Sequence, residues 1–304
     1  MNRNNNKPRK RRGLINPDKT KTYKVYQECT LLDFVKMKLP QQSEKNCKRI
    51  IMNHQVGVNG APVSIFKAPL YKEDEVTLAW KPIRRYKRDN LPIIYEDDEL
   101  IVIDKPSGLL SVASDKEKRR TAYRMVADYL SYKDPNSRCF IVHRLDEDTS
   151  GVLLFAKNNI IRTALQHQWN DIVKTREYIA IVEPGDIEKE GTLVNYLKED
   201  RTQKIYVTKD KVHGKLAKMD FKKLKSNKNY AMLKVNLYTG RKNQIRVQLG
   251  YHGYFVLGDD KYGKPSNPLK RLALHASTLA LIHPFKKKLM TFTAPVPECF
   301  NKLF

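Results

Sequence analysis

The sequence predicts an α+β protein of two domains. The larger is built on a mixed, largely antiparallel sheet with peripheral helices, and a small α/β domain precedes it. Three observations carry this reading. Beyond residue 93 short β-patterned runs dominate, and the few helical stretches among them do not alternate regularly with strands as a doubly wound sheet requires. Residues 23–80 instead gather two helical stretches and a hairpin. Between the two regions lies "KPIRRYKRDNLP" (81–92), polar, basic and punctuated by Pro82 and Pro92, which reads as a linker. At 304 residues the chain is long enough for two cores.

Charge narrows the partner before any motif is considered. Lysine and arginine total 58 against 33 acids, a net charge of +25 and a pI near 9.8. An excess of that size points to a polyanion, either nucleic acid or an anionic membrane surface. No apolar run approaches the ~18 residues of a spanning helix, and no amphipathic stretch is free of a place in the core. The N-terminus, "MNRNNNKPRKRRG", has no apolar segment like that of a signal peptide. The expectation is a cytoplasmic protein that binds nucleic acid and no membrane. Cys29, Cys47, Cys139 and Cys299 form no CxxC pair, so neither a zinc site nor a disulfide framework is indicated and the thiols are expected to be reduced.

Residues 1–22 have little to bury and read as a disordered basic tail. The run Arg9–Arg12 suits RNA phosphates and equally suits a solvated tail. "TLLDFVKMKL" carries Leu31, Leu32, Val35 and Leu39 at helical spacing, with Thr30 or Asp33 near its start. "SEKNCKRIIMNHQ" is a second helix with Ser43 as N-cap, Cys47, Ile50 and Ile51 inward, and Lys45, Lys48 and Arg49 outward. "VGVNGAPV" alternates as a strand into a hairpin, because Asn59 and Gly60 both tolerate positive φ. "DEVTLAW" alternates again, with Val76, Leu78 and Trp80 on one face.

In the second domain Ile93–Tyr95 and Leu100–Ile103 are strands joined by a turn at Asp97-Asp98. "KPSG" follows as a sharp loop in which Pro106 fixes φ and Gly108 permits close approach of another backbone. "TAYRMVADYLSY" is an amphipathic helix, and a further helix is expected around 160–170. "EYIAIV", residues 203–208 and 214–224, and the run "YAMLKVNLYTGRKNQIRVQL" continue the strand pattern.

One stretch breaks the pattern. "VHRLDEDTSGVLLFAK" (142–157) sets five ionisable groups between apolar segments that read as buried strands. Asp, Thr, Ser and Gly are ordinary turn residues. His143 and Arg144, however, add charge that a plain turn does not need, and a carboxylate flanked by buried strands requires a cationic partner or its pKa rises.

These residues carry a resemblance. "HRLDEDTSG" (143–151) is similar to the HRLD-x-x-TSG motif of the pseudouridine synthases of the large-subunit ribosomal RNA type. "DKPSG" (104–108), "REY" (176–178), "TGRKNQIRVQL" (239–249), "LGDDKYG" (257–263) and "LALHASTLALIHP" (272–284) follow that family's further motifs in order. Asn243 and Gln248 depart from it, standing where the family commonly has histidine. The match spans about residues 93–295. Residues 23–80, with their basic helix and V-x-V-N-G turn, resemble the S4 RNA-binding domain. The resemblance thus divides the chain into a tail (1–22), an S4-like domain (23–80), the linker (81–92) and a catalytic domain (93–304).

The resemblance implies isomerisation of uridine to pseudouridine within structured RNA, without a cofactor or metal. Asp146 is implied as the catalytic carboxylate, acting either as a nucleophile at C1′ or as a general base at C2′; the sequence leaves both open. Arg246 is implied as its cationic partner, Tyr178 as the residue that stacks on uracil and assists at C5, and Leu274 as the lining of the base pocket. Because the nucleotide must leave its helix, Arg144 is implied as the residue that fills the vacated stack, against the alternative of an ion pair with Asp146, Glu147 or Asp148. Lys105, Arg241 and Lys242 are expected to face phosphate, and Lys48 and Arg49 to meet RNA backbone. His143, His275 and His283 are expected to make structural hydrogen bonds. Ribosomal RNA, including ribosome assembly intermediates, is the expected partner of a monomer, with transfer RNA as runner-up. A non-catalytic RNA-binding assembly factor is the competing class; it would not need Asp146, Tyr178 and Arg246 together.

Overall fold

The computed structural model describes residues 20–79 and 91–304, apart from 115, 116, 118, 119, 135, 136, 184, 265 and 266. The basic tail before residue 20, Trp80 and most of the expected linker therefore lie outside the described residues. The chain divides into two compact units, Met1–Lys87 and Arg88–Phe304.

The first unit runs β1 (Lys21–Lys24), β2 (Cys29–Thr30), α1 (Leu31–Lys38), α2 (Glu44–Met52), β3 (Val56–Val58), β4 (Ala61–Pro62), β5 (Pro69–Leu70) and β6 (Glu75–Leu78). Both helices begin at the expected caps: Thr30 accepts from the Asp33 N–H and Ser43 from the Asn46 N–H, each satisfying a donor that the first turn leaves open. Leu31, Val35, Cys47, Ile50 and Ile51 are fully buried against Val56, Val76 and Leu78. Asn59 and Gly60 have φ of 50° and 77°, the turn their sequence predicts. Lys21 and Thr22, expected in the tail, are paired with Leu78 and Thr77 in the sheet. "KTYK" offers no apolar alternation to reveal a strand at the sheet edge; backbone pairing to β6 forms it.

The second unit begins with β7 (Ile93–Glu96), β8 (Leu100–Lys105), α3 (Ala122–Lys133), β9 (Phe140–Ile141) and β10 (Ser150–Ala156). Next come α4 (Asn159–His167), α5 (Trp169–Ile172), β11 (Val173–Val182), β12 (Glu190–Glu199), β13 (Ile205–Thr208), β14 (Lys215–Ser226) and β15 (Ala231–Leu237). It ends with α6 (Gln244–Tyr251), β16 (Leu274–Ile282), β17 (Leu289–Thr293) and α7 (Glu298–Asn301). One 11-stranded sheet has the order β13-β12-β14-β15-β11-β16-β10-β8-β7, with β17 added to β16 and β9 to β10. The β10–β16 pair is parallel and the others are antiparallel, so the mixed, largely antiparallel α+β reading holds.

The apolar run after the charged stretch now has its cause. All seven residues of β10 are buried because both of its faces are covered. Val152, Leu154 and Ala156 pack with Ile161 and Leu165 of α4. Leu153 and Phe155, pointing the opposite way, pack with Val126 and Leu130 of α3. Gly151 joins β10 to β16 so closely that a Cβ would lie 2.1 Å from the Ala276 carbonyl oxygen, at φ 112°. Gly108 has a different role from the expected one. It needs φ 74°, but nothing lies within 4 Å of an added Cβ.

Two segments differ from the sequence pattern. β12, unforeseen, is mostly polar and half exposed, and its strand form depends on pairing with β13 and β14. The expected strand through 230–249 ends at Leu237, and α6 follows. Gln244 to Leu249 are all buried, so this helix lacks the polar face that would have revealed its period, and I-R-V-Q-L alternates as a strand would.

Candidate active site

A cavity of about 430 Å³ opens in the second unit, and Asp146, Tyr178, Arg246, Arg144, Leu274 and Arg241 all line it. Lys105 does not. Lys48 and Arg49 stand on α2 of the first unit, where Lys48 pairs with Glu44 at 2.8 Å and Arg49 is exposed.

Asp146 sits in the loop between β9 and β10, and the "DKPSGLLS" segment grips that loop. Lys105 Nζ donates to the carbonyls of Pro106, Leu109 and Glu147 at 2.9, 2.6 and 2.8 Å. The Gly108 N–H also donates to Glu147 O, at 3.0 Å, and Ser107 Oγ donates to Asp148 O at 2.7 Å. Ser111 Oγ donates to Leu145 O at 2.7 Å and accepts from the Leu145 N–H at 3.0 Å. Lys105, expected to face phosphate, is thus fully buried. Its ammonium has three donors and finds three carbonyls. Burial pulls its pKa down to about 8, against the opposing charges of Asp148, Asp146 and Glu147.

Burial raises the Asp146 carboxyl above its usual range, and Arg246, Arg144 and Lys105 offset this in that order without cancelling it. The expected partnership with Arg246 takes a different form. Arg246 donates through Nε and Nη2 to both oxygens of Asp259, at 2.8 and 2.6 Å, and lies 5.2 Å from the Tyr262 ring centroid. Burial lowers the Arg246 pKa, but Asp259 reverses the effect and leaves it raised. No salt bridge joins Arg246 to Asp146 among the described residues; it acts on that carboxylate through space. Asp259 is almost completely buried and also accepts the N–H groups of Lys261 and Tyr262. It lies inside the "LGDDKYG" motif, yet the sequence reading gave it no role.

Tyr178 lies on β11 between β15 and β16. Burial pushes its phenol up to about 12, with Arg176 opposing and Asp146 adding. Leu274, the first residue of β16, is 3% exposed and supplies an apolar wall. Arg241 holds the rim, its Nε donating to Leu216 O at 3.0 Å. Arg144 is exposed and forms no ion pair among the described residues, so the structural-pair alternative is not what this loop uses. Lys242, by contrast, pairs with Glu199.

The three histidines make structural contacts. His143 Nε2 accepts the Leu154 N–H at 3.1 Å, and its ring lies 5.1 Å from that of Trp169. Burial, then Arg176, push it down to about 4. His275 Nδ1 is 2.8 Å from Ser150 Oγ, to which Arg271 donates at 2.7 Å. His275 Nε2 faces the Ala294 carbonyl at 3.4 Å, so in the neutral ring Nε2 carries the proton and Nδ1 accepts from Ser150. His283 is fully buried, 3.2 Å from Glu99.

At the two departures from the family pattern, Asn243 Nδ2 donates to the Tyr262 hydroxyl at 3.0 Å. Gln248 Nε2 reaches Leu193 O, Asn195 Oδ1 and Ala217 O. The cavity also contains Trp169 and Arg176, which the sequence reading did not name as site residues. One signal was available for Arg176: it stands two residues before Tyr178 and so shares its face in a strand.

A family model described as RNA pseudouridylate synthase matches residues 99–251. The chain is 32% identical over 284 residues to the ribosomal large subunit pseudouridine synthase D of Pasteurella multocida, covering 87% of this chain and 86% of that protein. It is 33% identical over 217 residues to the uncharacterized RNA pseudouridine synthase YhcT of Bacillus subtilis, covering 70% and 71%. Among solved structures, human RNA pseudouridylate synthase domain containing 4 superposes with a TM-score of 0.57 at 21% identity, over 69% of this chain and 90% of that one. This last likeness concerns the fold.

Proposed function

This chain belongs to the RNA pseudouridylate synthase family, and from that premise we propose that it isomerises specific uridines of large-subunit ribosomal RNA, working as a cytoplasmic monomer on a flipped-out nucleotide. The observation that carries the reading is the cavity itself: one carboxylate, one phenol, one apolar wall and several guanidinium groups line a single space. The relatives named for the ribosomal large subunit support the choice of RNA.

The bond from C1′ to N1 breaks, the uracil turns, C1′ joins C5, and the C5 proton is lost as N1 gains one. Substrate and product are isomers, so nothing is oxidised and no group departs. Asp146 carries the sugar chemistry by one of two routes, attack on C1′ or removal of the C2′ proton. Both need the ionised carboxylate, which burial disfavours and Arg246 and Arg144 favour. Leu274 and Tyr178 hold the detached base. With its pKa pushed up to about 12, the phenol stays protonated at neutral pH. It therefore stacks and hydrogen-bonds near C5 rather than standing ready as a phenolate base.

Extrusion of the nucleotide costs a few kcal/mol. Arg144, exposed at the mouth and unpaired among the described residues, occupies the vacated stack with its planar guanidinium. The first unit, read as an S4-like domain over 23–80, contributes RNA backbone contacts through the outer face of α2. The basic composition supports this, as does the exposure of Lys45 and Arg49.

The test maps pseudouridines in ribosomal and transfer RNA from cells with the protein, without it, and with Asp146→Ala. Specific ribosomal sites are expected to vanish in both defective strains. Loss confined to transfer RNA would replace the substrate, and identical RNA from deleted and normal cells would defeat the reading.

A further inference from the structure

Arg176 stands two residues before Tyr178 on β11. The two side chains leave the same face of the strand, roughly 7 Å apart, and both line the cavity. The guanidinium of Arg176 is held in place by protein: Nη2 donates to Tyr238 O at 2.7 Å, and Nε is buried with no hydrogen-bond partner. Nη1 lies 2.8 Å from where a Cβ on Gly240 would sit. Gly240 does not have a positive φ, so what the position requires is space for this guanidinium rather than backbone freedom.

The charge of Arg176 is unanswered. Arg246 is met by Asp259, whereas Arg176 has no carboxylate within 4 Å among the described residues. Burial lowers its pKa, and only the Tyr178 phenol opposes that. The cations that chiefly offset the burial of Asp146 are Arg246, Arg144 and Lys105, not Arg176. A partly desolvated cation of this kind is unfavourable until an anion meets it. The anions of an RNA strand are its phosphates, one on each side of every nucleotide, and a guanidinium fork matches their geometry.

We propose that Arg176 binds a phosphate of the target nucleotide, fixing the backbone beside the sugar while the base lies against Tyr178, and that Gly240 is glycine so that this guanidinium can reach its place. The inference rests on the uridine reading of the cavity and adds an anion subsite to it. It also gives the "REY" and "TGR" motifs a shared physical purpose: one supplies the cation and the other the space.

The test is equilibrium binding of uridine 3′,5′-bisphosphate and of uridine to the full-length protein by calorimetry, in the wild type, Arg176→Met, Arg176→Lys and Gly240→Ala. The wild type should prefer the bisphosphate. Arg176→Met should weaken the bisphosphate by at least about tenfold and leave uridine unchanged, with Arg176→Lys in between. Gly240→Ala should repeat the Arg176→Met pattern without lowering the melting temperature, because the obstructed atom is the end of a flexible side chain. It decides the matter if Arg176→Met fails to fold. With ribosomal RNA, the salt slope of binding should fall by about 0.7 in either variant. Equal wild-type affinity for the two probes, including no binding of either, would overturn the proposal, as would equal weakening of both by Arg176→Met. Arg176-dependent selectivity for the bisphosphate, in a protein whose deletion leaves cellular pseudouridines unchanged, would sink the functional reading and leave the anion subsite standing.

Discussion

Lys105 Nζ donates to the Glu147 carbonyl at 2.8 Å and so fixes the Glu147–Asp148 peptide, one residue beyond Asp146. The same ammonium closes its own loop through Pro106 O and Leu109 O. A fully buried lysine is tolerated here because its donors have acceptors and nearby carboxylates offset its charge. Lys105→Met keeps the stem and removes all three bonds, leaving buried carbonyls unmatched. It should cost about 3 kcal/mol or more in denaturant unfolding and lower kcat more than KM, since it displaces Asp146 rather than an RNA contact. A variant with full stability and full turnover would show that the grip on the loop does not matter.

Asp146 itself sets a pH dependence in two observables. Its folded pKa is raised, by burial first. A raised carboxyl contributes stability below its unfolded pKa, and this is lost as pH rises through the folded value. At neutral pH the ionised group therefore opposes folding. Asp146→Asn should abolish pseudouridine formation yet raise the melting temperature at pH 7, with the gain shrinking as the pH falls toward the unfolded carboxylate range. In the active enzyme kcat/KM should decline on the acid side with a pKa above the ordinary aspartate value. Arg144→Ala should move that limb to higher pH, because a charge that favours the carboxylate has been removed. An acid limb that stays put would mean Arg144 does not act on Asp146.

Asp259 holds Arg246 through both carboxylate oxygens, and Asp259→Ala would leave a buried guanidinium without its ion pair. Breaking such a pair from one side typically costs about 3–5 kcal/mol, which chemical denaturation can measure. Asp259→Asn keeps the shape, frees part of the Arg246 charge for Asp146, and should shift the acid limb of kcat/KM to lower pH while reducing turnover through lost orientation. If the limb did not move, Arg246 would not be tuning Asp146.

How much of this was legible in the sequence follows from what each residue's neighbours are. Both helices of the first unit were readable because their burial repeats with the helical period, and β10 because a strand covered on both faces reads as an unbroken apolar run. Asp146, Tyr178 and Leu274 were found through motifs and share the cavity. α6 was hidden because it is buried all round, and β12 because a half-exposed strand carries polar residues on both faces. The role of Lys105 was misjudged because sequence records its charge but not the carbonyls folded around it. Asp259 and Arg176 take their meaning from partners 13 and 62 residues away along the chain, Arg246 and Tyr238, and local pattern does not encode such pairings.

The first unit offers a contrast between two adjacent cations. Lys48 is paired with Glu44, which also holds Lys36, while Arg49 is exposed and forms no ion pair among the described residues. An RNA phosphate approaching Lys48 must compete with Glu44, whereas Arg49 can give its whole charge to the contact. Arg49→Ala should therefore raise the KM for ribosomal RNA more than Lys48→Ala does. It should lower the magnitude of the salt slope by about 0.7–0.9 and leave kcat and the melting temperature unchanged, because its side chain is solvated in the free protein. Double substitution with Lys45→Ala should deepen the loss, as each phosphate contact releases its own counterions. A salt slope identical to that of the wild type in the double variant would remove α2 from the RNA-binding surface and leave recognition to the second unit.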